Sequence, residues 1–68
     1  MNLIEGLQQE INRVREVITE YEAIPGEAGK LAAMIMRVDI QNAKRSIASG
    51  DVVGMLVSYK NLQEIKSD

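Results

Sequence analysis

Asp39 is the acid in this 68-residue sequence whose setting could change its chemistry. It falls between apolar positions at helical spacing, where burial would raise its pKa and fit it for acid–base work. The simpler reading pairs Asp39 with a cation of the preceding segment, Arg15, or sets it at a groove edge. Catalysis also needs a concave pocket with several convergent polar groups. Three helices of this size rarely provide one, so no catalytic residue is assigned and no enzyme is expected. Glu16 and Glu20 share one helical face, as a carboxylate metal site requires. The sequence contains neither histidine nor cysteine to accompany them. A solvated face is therefore the stronger reading, and neither a metal nor a cofactor is expected.

Nucleic-acid binding has two candidate carriers. The turn Ser49-Gly50-Asp51 could join a helix-turn-helix, placing the last helix in a groove. The residues such a helix would then present are Val53, Gly54, Val57 and Ser58. Apart from Ser58 they have no side-chain donor or acceptor for base edges or phosphates. Lys30, Arg37 and Lys44 could touch phosphates from one side of the middle segment. The chain as a whole carries eight cations against ten acids, so its net charge of −2 gives no general attraction to nucleic acid. A nucleic-acid-associated accessory protein remains the alternative reading. Binding to a membrane surface would favour a basic amphipathic helix, and the amphipathic segment here is acidic.

The elements that hold these residues are helices. Aliphatic residues, four methionines and strong helix formers dominate, and Tyr21 and Tyr59 are the only aromatics. The composition fits a single small domain spanning residues 1–68, with a core too modest to be very stable without help. Disulfides are impossible, so oligomerisation is the expected support. The first residues carry no basic run before an apolar one, and no stretch reaches membrane-spanning length. A cytoplasmic protein is expected.

The first helix is expected over about residues 2–23. Asn2 is a good N-cap, with Glu5 at the capping-box position. Ile4, Leu7, Ile11, Val14, Ile18 and Tyr21 alternate spacings of three and four, giving one narrow apolar seam. Gln8, Gln9, Asn12, Arg13, Glu16, Thr19 and Glu20 read as the solvated side. Pro25-Gly26 ends this pattern. A short loop then makes the next helix an antiparallel neighbour.

The second helix is expected over about residues 27–49 and carries two apolar stripes. Leu31, Met34, Ile35 and Val38 form one in its first half. Met36, Ile40, Ala43 and Ile47 form the other, mostly in its second half. These stripes are assigned to the first and third helices respectively. Asp39, Asn42 and Ser46 lie between them, as a polar lining that fixes helix register. Gly50 suits a left-handed helix end and Asp51 the next N-cap, so the third helix, about residues 52–66, folds back along the second. Its seam reads as Val52, Met55, Leu56, Tyr59 and Leu62. Residues 1–24 carry a charge of −3 and residues 25–50 carry +2, which favours packing of the first helix on the second.

The expected fold is an all-α, three-helix antiparallel bundle, two helices long and the third shorter. Val53, Val57 and Ile65 fall off the third helix's seam, and Met34 and Met36 point in divergent directions. Methionine adapts to irregular contacts. These five residues are the expected interface of a protein that binds other proteins and itself, as a homodimer or larger assembly.

Two stretches carry a resemblance. One is Ile47-Ala48-Ser49-Gly50-Asp51-Val52-Val53-Gly54-Met55-Leu56, followed by Tyr59, Leu62 and Lys66. The other is Tyr21-Glu22-Ala23-Ile24-Pro25, leading into Ala33-Met34-Ile35. Together they resemble small uncharacterised proteins encoded in bacterial prophages, over roughly two-thirds of the chain. The resemblance implies a phage or prophage context, and a host or phage protein is the partner expected in that context. It supplies no catalytic residue to carry over.

Overall fold

Asn2 starts the first helix by accepting a hydrogen bond at Oδ1 from the Glu5 backbone N–H, at 2.8 Å. That satisfies one of the free donors of the first turn. In the computed structural model, which describes residues 2–66, this helix is α1 (Leu3–Glu22). It is followed by α2 (Glu27–Ser49) and α3 (Val52–Gln63), and no strand occurs among the described residues. The three helices pack against one another, each touching both of the others, in an all-α bundle of 38 × 20 × 15 Å. The third helix is shorter than the sequence suggests. It stops at Gln63, with Glu64 as its C-cap.

Glycine sets the turn between α2 and α3. Gly50 sits at φ 69°, in the left-handed region, and its N–H donates to the Ile47 carbonyl at 3.2 Å. Asp51 then caps α3, its Oδ1 accepting from the Gly54 N–H at 2.9 Å. Both features follow the sequence logic, because a side chain at Gly50 would meet the left-handed penalty of about 1–2 kcal/mol.

The core is aliphatic. Leu7, Ile11, Val14, Val17 and Ile18 come from α1; Ala33, Met36, Ile40 and Ala43 from α2; Met55 and Leu62 from α3. Leu7, Val14 and Leu62 are completely buried. Leu3, Tyr21, Ile47, Tyr59 and Ile65 pack half-buried around them. Ile4, expected on the α1 seam, is exposed at its start, and Ile24 is exposed just beyond its end.

The inner face of α2 differs from the assignment made from its large aliphatics. The buried positions are Gly29, Ala33, Met36, Ile40 and Ala43, with Ile47 half-buried behind them. Their spacing alternates four and three over the whole helix, the signature of one continuous seam. A helix packed against two others needs small residues where the backbones approach. Gly29 shows this directly. A Cβ placed there would lie 2.5 Å from the Tyr21 carbonyl oxygen and 3.2 Å from the Ile24 Cβ.

Gly29→Ala therefore tests the α1–α2 junction. Alanine favours a helix interior by about 0.8–1 kcal/mol over glycine. Here the backbone it meets cannot yield without moving a helix end, so a net loss of about 1–3 kcal/mol is expected. Urea unfolding followed by circular dichroism measures it. A more stable variant would show that the two helices do not approach this closely.

Candidate interaction surface

The large aliphatics of α2 that the core does not use lie together. At about 100° per residue, Leu31, Met34, Ile35 and Val38 span an arc of roughly 100° centred opposite the buried seam. Each is 55–58% exposed. The sequence assigned this stripe to contact with α1, and the fold reverses that assignment. The stripe through Gly29, Ala33, Met36, Ile40 and Ala43 fills the interior for both neighbouring helices.

The N-terminal half of α3 is apolar on all sides. Met55 is buried, while Val52, Val53, Leu56 and Val57 are exposed, Val53 at 71%. Val52 and Leu56 were expected in the seam. Ser58, expected on the outside, takes the inward position with Met55 and Leu62. A helix apolar all round is ordinarily covered on every side. Here one side has no cover among the described residues.

The five residues expected at an interface divide accordingly. Met34, Val53 and Val57 are exposed. Met36 is only 8% exposed and belongs to the core. It continues the seam from Ala33 to Ile40, which its distance from Leu31 in sequence conceals. Ile65 packs half-buried against the core, just beyond the end of α3. The exposed surface also takes in Leu31, Ile35, Val38, Val52 and Leu56. The signal for the α2 group was present in its i, i+3, i+4, i+7 spacing but was read as an inward face.

The polar trio shares one side of α2 but differs in burial. Asn42 is exposed, and Asp39 and Ser46 are half-buried. Ser46 marks the close approach of α2 and α3, since a Cβ at Gly54 would lie 2.5 Å from its Oγ. Arg15, the partner considered for Asp39, donates instead to Asn12 Oδ1 at 3.3 Å. Among the described residues, the Asp39 side chain makes no hydrogen bond or ion pair.

Arg13, read as solvated, joins α1 to the end of α3. Its two terminal guanidinium nitrogens donate to the carbonyls of Leu62 at 2.7 Å and Ile65 at 2.9 Å. Its Nε donates to Glu10 Oε2 at 3.1 Å. A second cation, Arg37, pairs with Glu22 and links α2 to α1. That pair is substantially exposed and contributes at most a few tenths of a kcal/mol or so.

One concave feature of about 270 Å³ touches the stripe, lined by Glu27, Ala28, Lys30, Leu31 and Met34; others lie away from it. A groove of about 380 Å³ runs between α1 and α2, with Gln8, Asn12, Arg15 and Lys44 on its walls. A neighbouring groove of about 290 Å³ shares Arg15 and Lys44 and adds Arg37 and Gln41. No carboxylate lines either groove, and Asp39 borders neither. Among the described residues, no group of three or more acids, histidines or cysteines is placed to hold a metal ion. None of the described helices is long and apolar enough to cross a membrane.

No protein-family model matches this chain, and neither a curated protein nor a solved structure matches it.

Proposed function

We propose that this chain is a non-enzymatic protein–protein interaction protein that works as a self-associated assembly of antiparallel three-helix subunits. One observation carries the reading: the apolar stripe Leu31, Met34, Ile35 and Val38 on the side of α2 away from the core. Fully burying such a side chain contributes about 1.5–3 kcal/mol. Each of these is a little more than half exposed, so covering the four returns several kcal/mol. For a domain of this size that is comparable with its whole folding free energy. The antiparallel arrangement is supported by the short connections at Ala23–Gly26 and Gly50–Asp51. The cytoplasm is the proposed compartment. The phage context, with a host or phage protein as further partner, rests on the sequence resemblance alone.

Self-association coupled to folding makes the melting temperature depend on protein concentration. The expected result is a melting temperature that climbs by several degrees across a hundredfold rise in concentration. A constant melting temperature over that range counts against the reading.

The second reading is a nucleic-acid-associated accessory protein. Its support is the pair of grooves between α1 and α2, both lined by Arg15 and Lys44 and by no carboxylate; Arg37, on the second groove, is already paired with Glu22. A mobility shift with DNA or RNA that weakens as salt rises would favour it. No shift at low salt removes it.

A further inference from the structure

We propose that Arg15 and Lys44, facing each other across the grooves between α1 and α2, form a binding site for a small phosphate monoester. This goes beyond self-association and does not depend on it.

The first observation is where the two cations stand. Both line both grooves, so they mark the waist where the spaces of about 380 Å³ and 290 Å³ adjoin. The same two helices show how such a position is ordinarily filled. Arg37 of α2 pairs with Glu22 of α1. Arg15 lies seven residues before Glu22, and Lys44 lies seven residues after Arg37. Each step is about two helical turns. The register that sets Glu22 against Arg37 therefore sets a cation against a cation at the waist.

The second observation is that nothing neutralises this pair. No carboxylate lines either groove. Arg15 donates to the neutral Asn12 Oδ1 at 3.3 Å, which leaves the rest of its fork for another acceptor. The Lys44 ammonium has no hydrogen bond or ion pair among the described residues. Like charges brought together on helices are destabilising. In a chain with ten acids, a glutamate at either position would give the ordinary opposite-charge pair. Departures of this kind from local consistency concentrate at functional sites, and a cleft lined by one sign of charge gathers counter-ions.

The chemistry of the ligand follows. Two facing cations match a group with two negative charges, which a phosphate monoester supplies and a single carboxylate does not. The planar guanidinium takes two phosphate oxygens side by side, and the ammonium acts as a point charge on the third. No aromatic side chain lines either groove for a base to stack on, and two cations are few for a nucleic-acid strand. The larger groove continues from the waist past Gln8 and Ile47. Its volume of about 380 Å³ lies within the range of small-molecule sites, about 300–1,000 Å³. It has room for the organic part of the ligand, with the Gln8 amide as a polar partner.

Thermal unfolding of the full chain tests the site, with inorganic phosphate as the probe. The pH is mildly alkaline, so that phosphate carries its second charge. Chloride at the same ionic strength and protein concentration is the reference. The unmodified chain is expected to melt several degrees higher in tens of millimolar phosphate than in chloride. Phosphate also stabilises proteins through exclusion from their surfaces, so Lys44→Glu and Arg15→Glu carry the comparison. Each turns the facing like charges into an opposite pair. In chloride each should melt at or above the unmodified chain, and in phosphate each should lose most of the gain. Lys44→Gln, which adds no new charge, should lose it too. A gain retained in any of these variants overturns the site, as does no gain in the unmodified chain. A glutamate variant that melts well below the unmodified chain in chloride shows that the cations do not face each other, and overturns it as well. An oligonucleotide that binds where phosphate gives no gain assigns the grooves to nucleic acid instead. Light scattering reads the assembly separately: a monomer that keeps the phosphate gain refutes self-association and leaves this site standing.

Discussion

Leu62→Ala is expected to cost about 2–5 kcal/mol, the range for removing a large aliphatic side chain from a packed interior. Leu62 is completely buried, and it is the last core residue that α3 supplies. At roughly 0.05–0.15 kcal/mol per residue, a chain of 68 residues has about 3–10 kcal/mol of stability in all. The variant should therefore be largely unfolded, or unfold at much lower urea, by circular dichroism. Leu56→Ala serves as the comparison. The same chemical change at a position more than half exposed should cost the isolated subunit under about 1 kcal/mol. Similar losses at both positions would mean that α3 does not present the Met55–Ser58–Leu62 face inward.

Arg13→Met is the second large effect. Methionine keeps much of the aliphatic stem but removes every donor, leaving the Leu62 and Ile65 carbonyls without the guanidinium. Hydrogen bonds to a charged group contribute about 1.5–3 kcal/mol each when their partners are shielded. Here the arginine side chain is 30% exposed, so water recovers part of that. A loss of about 1–3 kcal/mol is expected, concentrated at the C-terminal turn of α3. Arg13→Lys should not restore it, because one ammonium cannot span two carbonyls as the planar fork does. Amide hydrogen exchange of Lys60 to Ile65 reads the effect locally. Wild-type protection in Arg13→Met would show that the α1–α3 link contributes nothing.

The helices themselves were legible in the sequence because their ends are local. Asn2, Pro25-Gly26 and Gly50-Asp51 are capping and breaking residues, and each acts within one turn. The α1 seam was legible for the same reason: a single apolar stripe has one place to go. α2 posed a different problem. It carries two stripes of equal promise, and counting large aliphatics favours Leu31, Met34, Ile35 and Val38. The deciding residues were the small ones. Gly29, Ala33 and Ala43 extend the Met36–Ile40 stripe along the whole helix, whereas the other stripe runs out into Asn42 and Arg45. Small residues add little hydrophobicity but permit close backbone approach, so a reading weighted by side-chain size passes over them.

The candidate surface was partly legible. Val53, Val57 and Met34 lie outside the core, as their excess over one inward seam suggests. Met36 was misplaced with them, for the reason just given. The link from Arg13 to α3 had no sequence signal, because it runs to carbonyls 49 and 52 residues away. Ser58 was equally hidden, since a serine facing inward breaks the pattern that a hydrophobic seam would show.

The proposed function depends most directly on whether this chain associates with a second copy of itself. Sedimentation equilibrium of the unmodified chain decides it. The subunit mass is 7.5 kDa, so at micromolar concentration and above the fitted mass should approach about 15 kDa, twice that value. It should fall toward the subunit mass on dilution, as mass action requires. A single species of 7.5 kDa at every concentration would contradict the account.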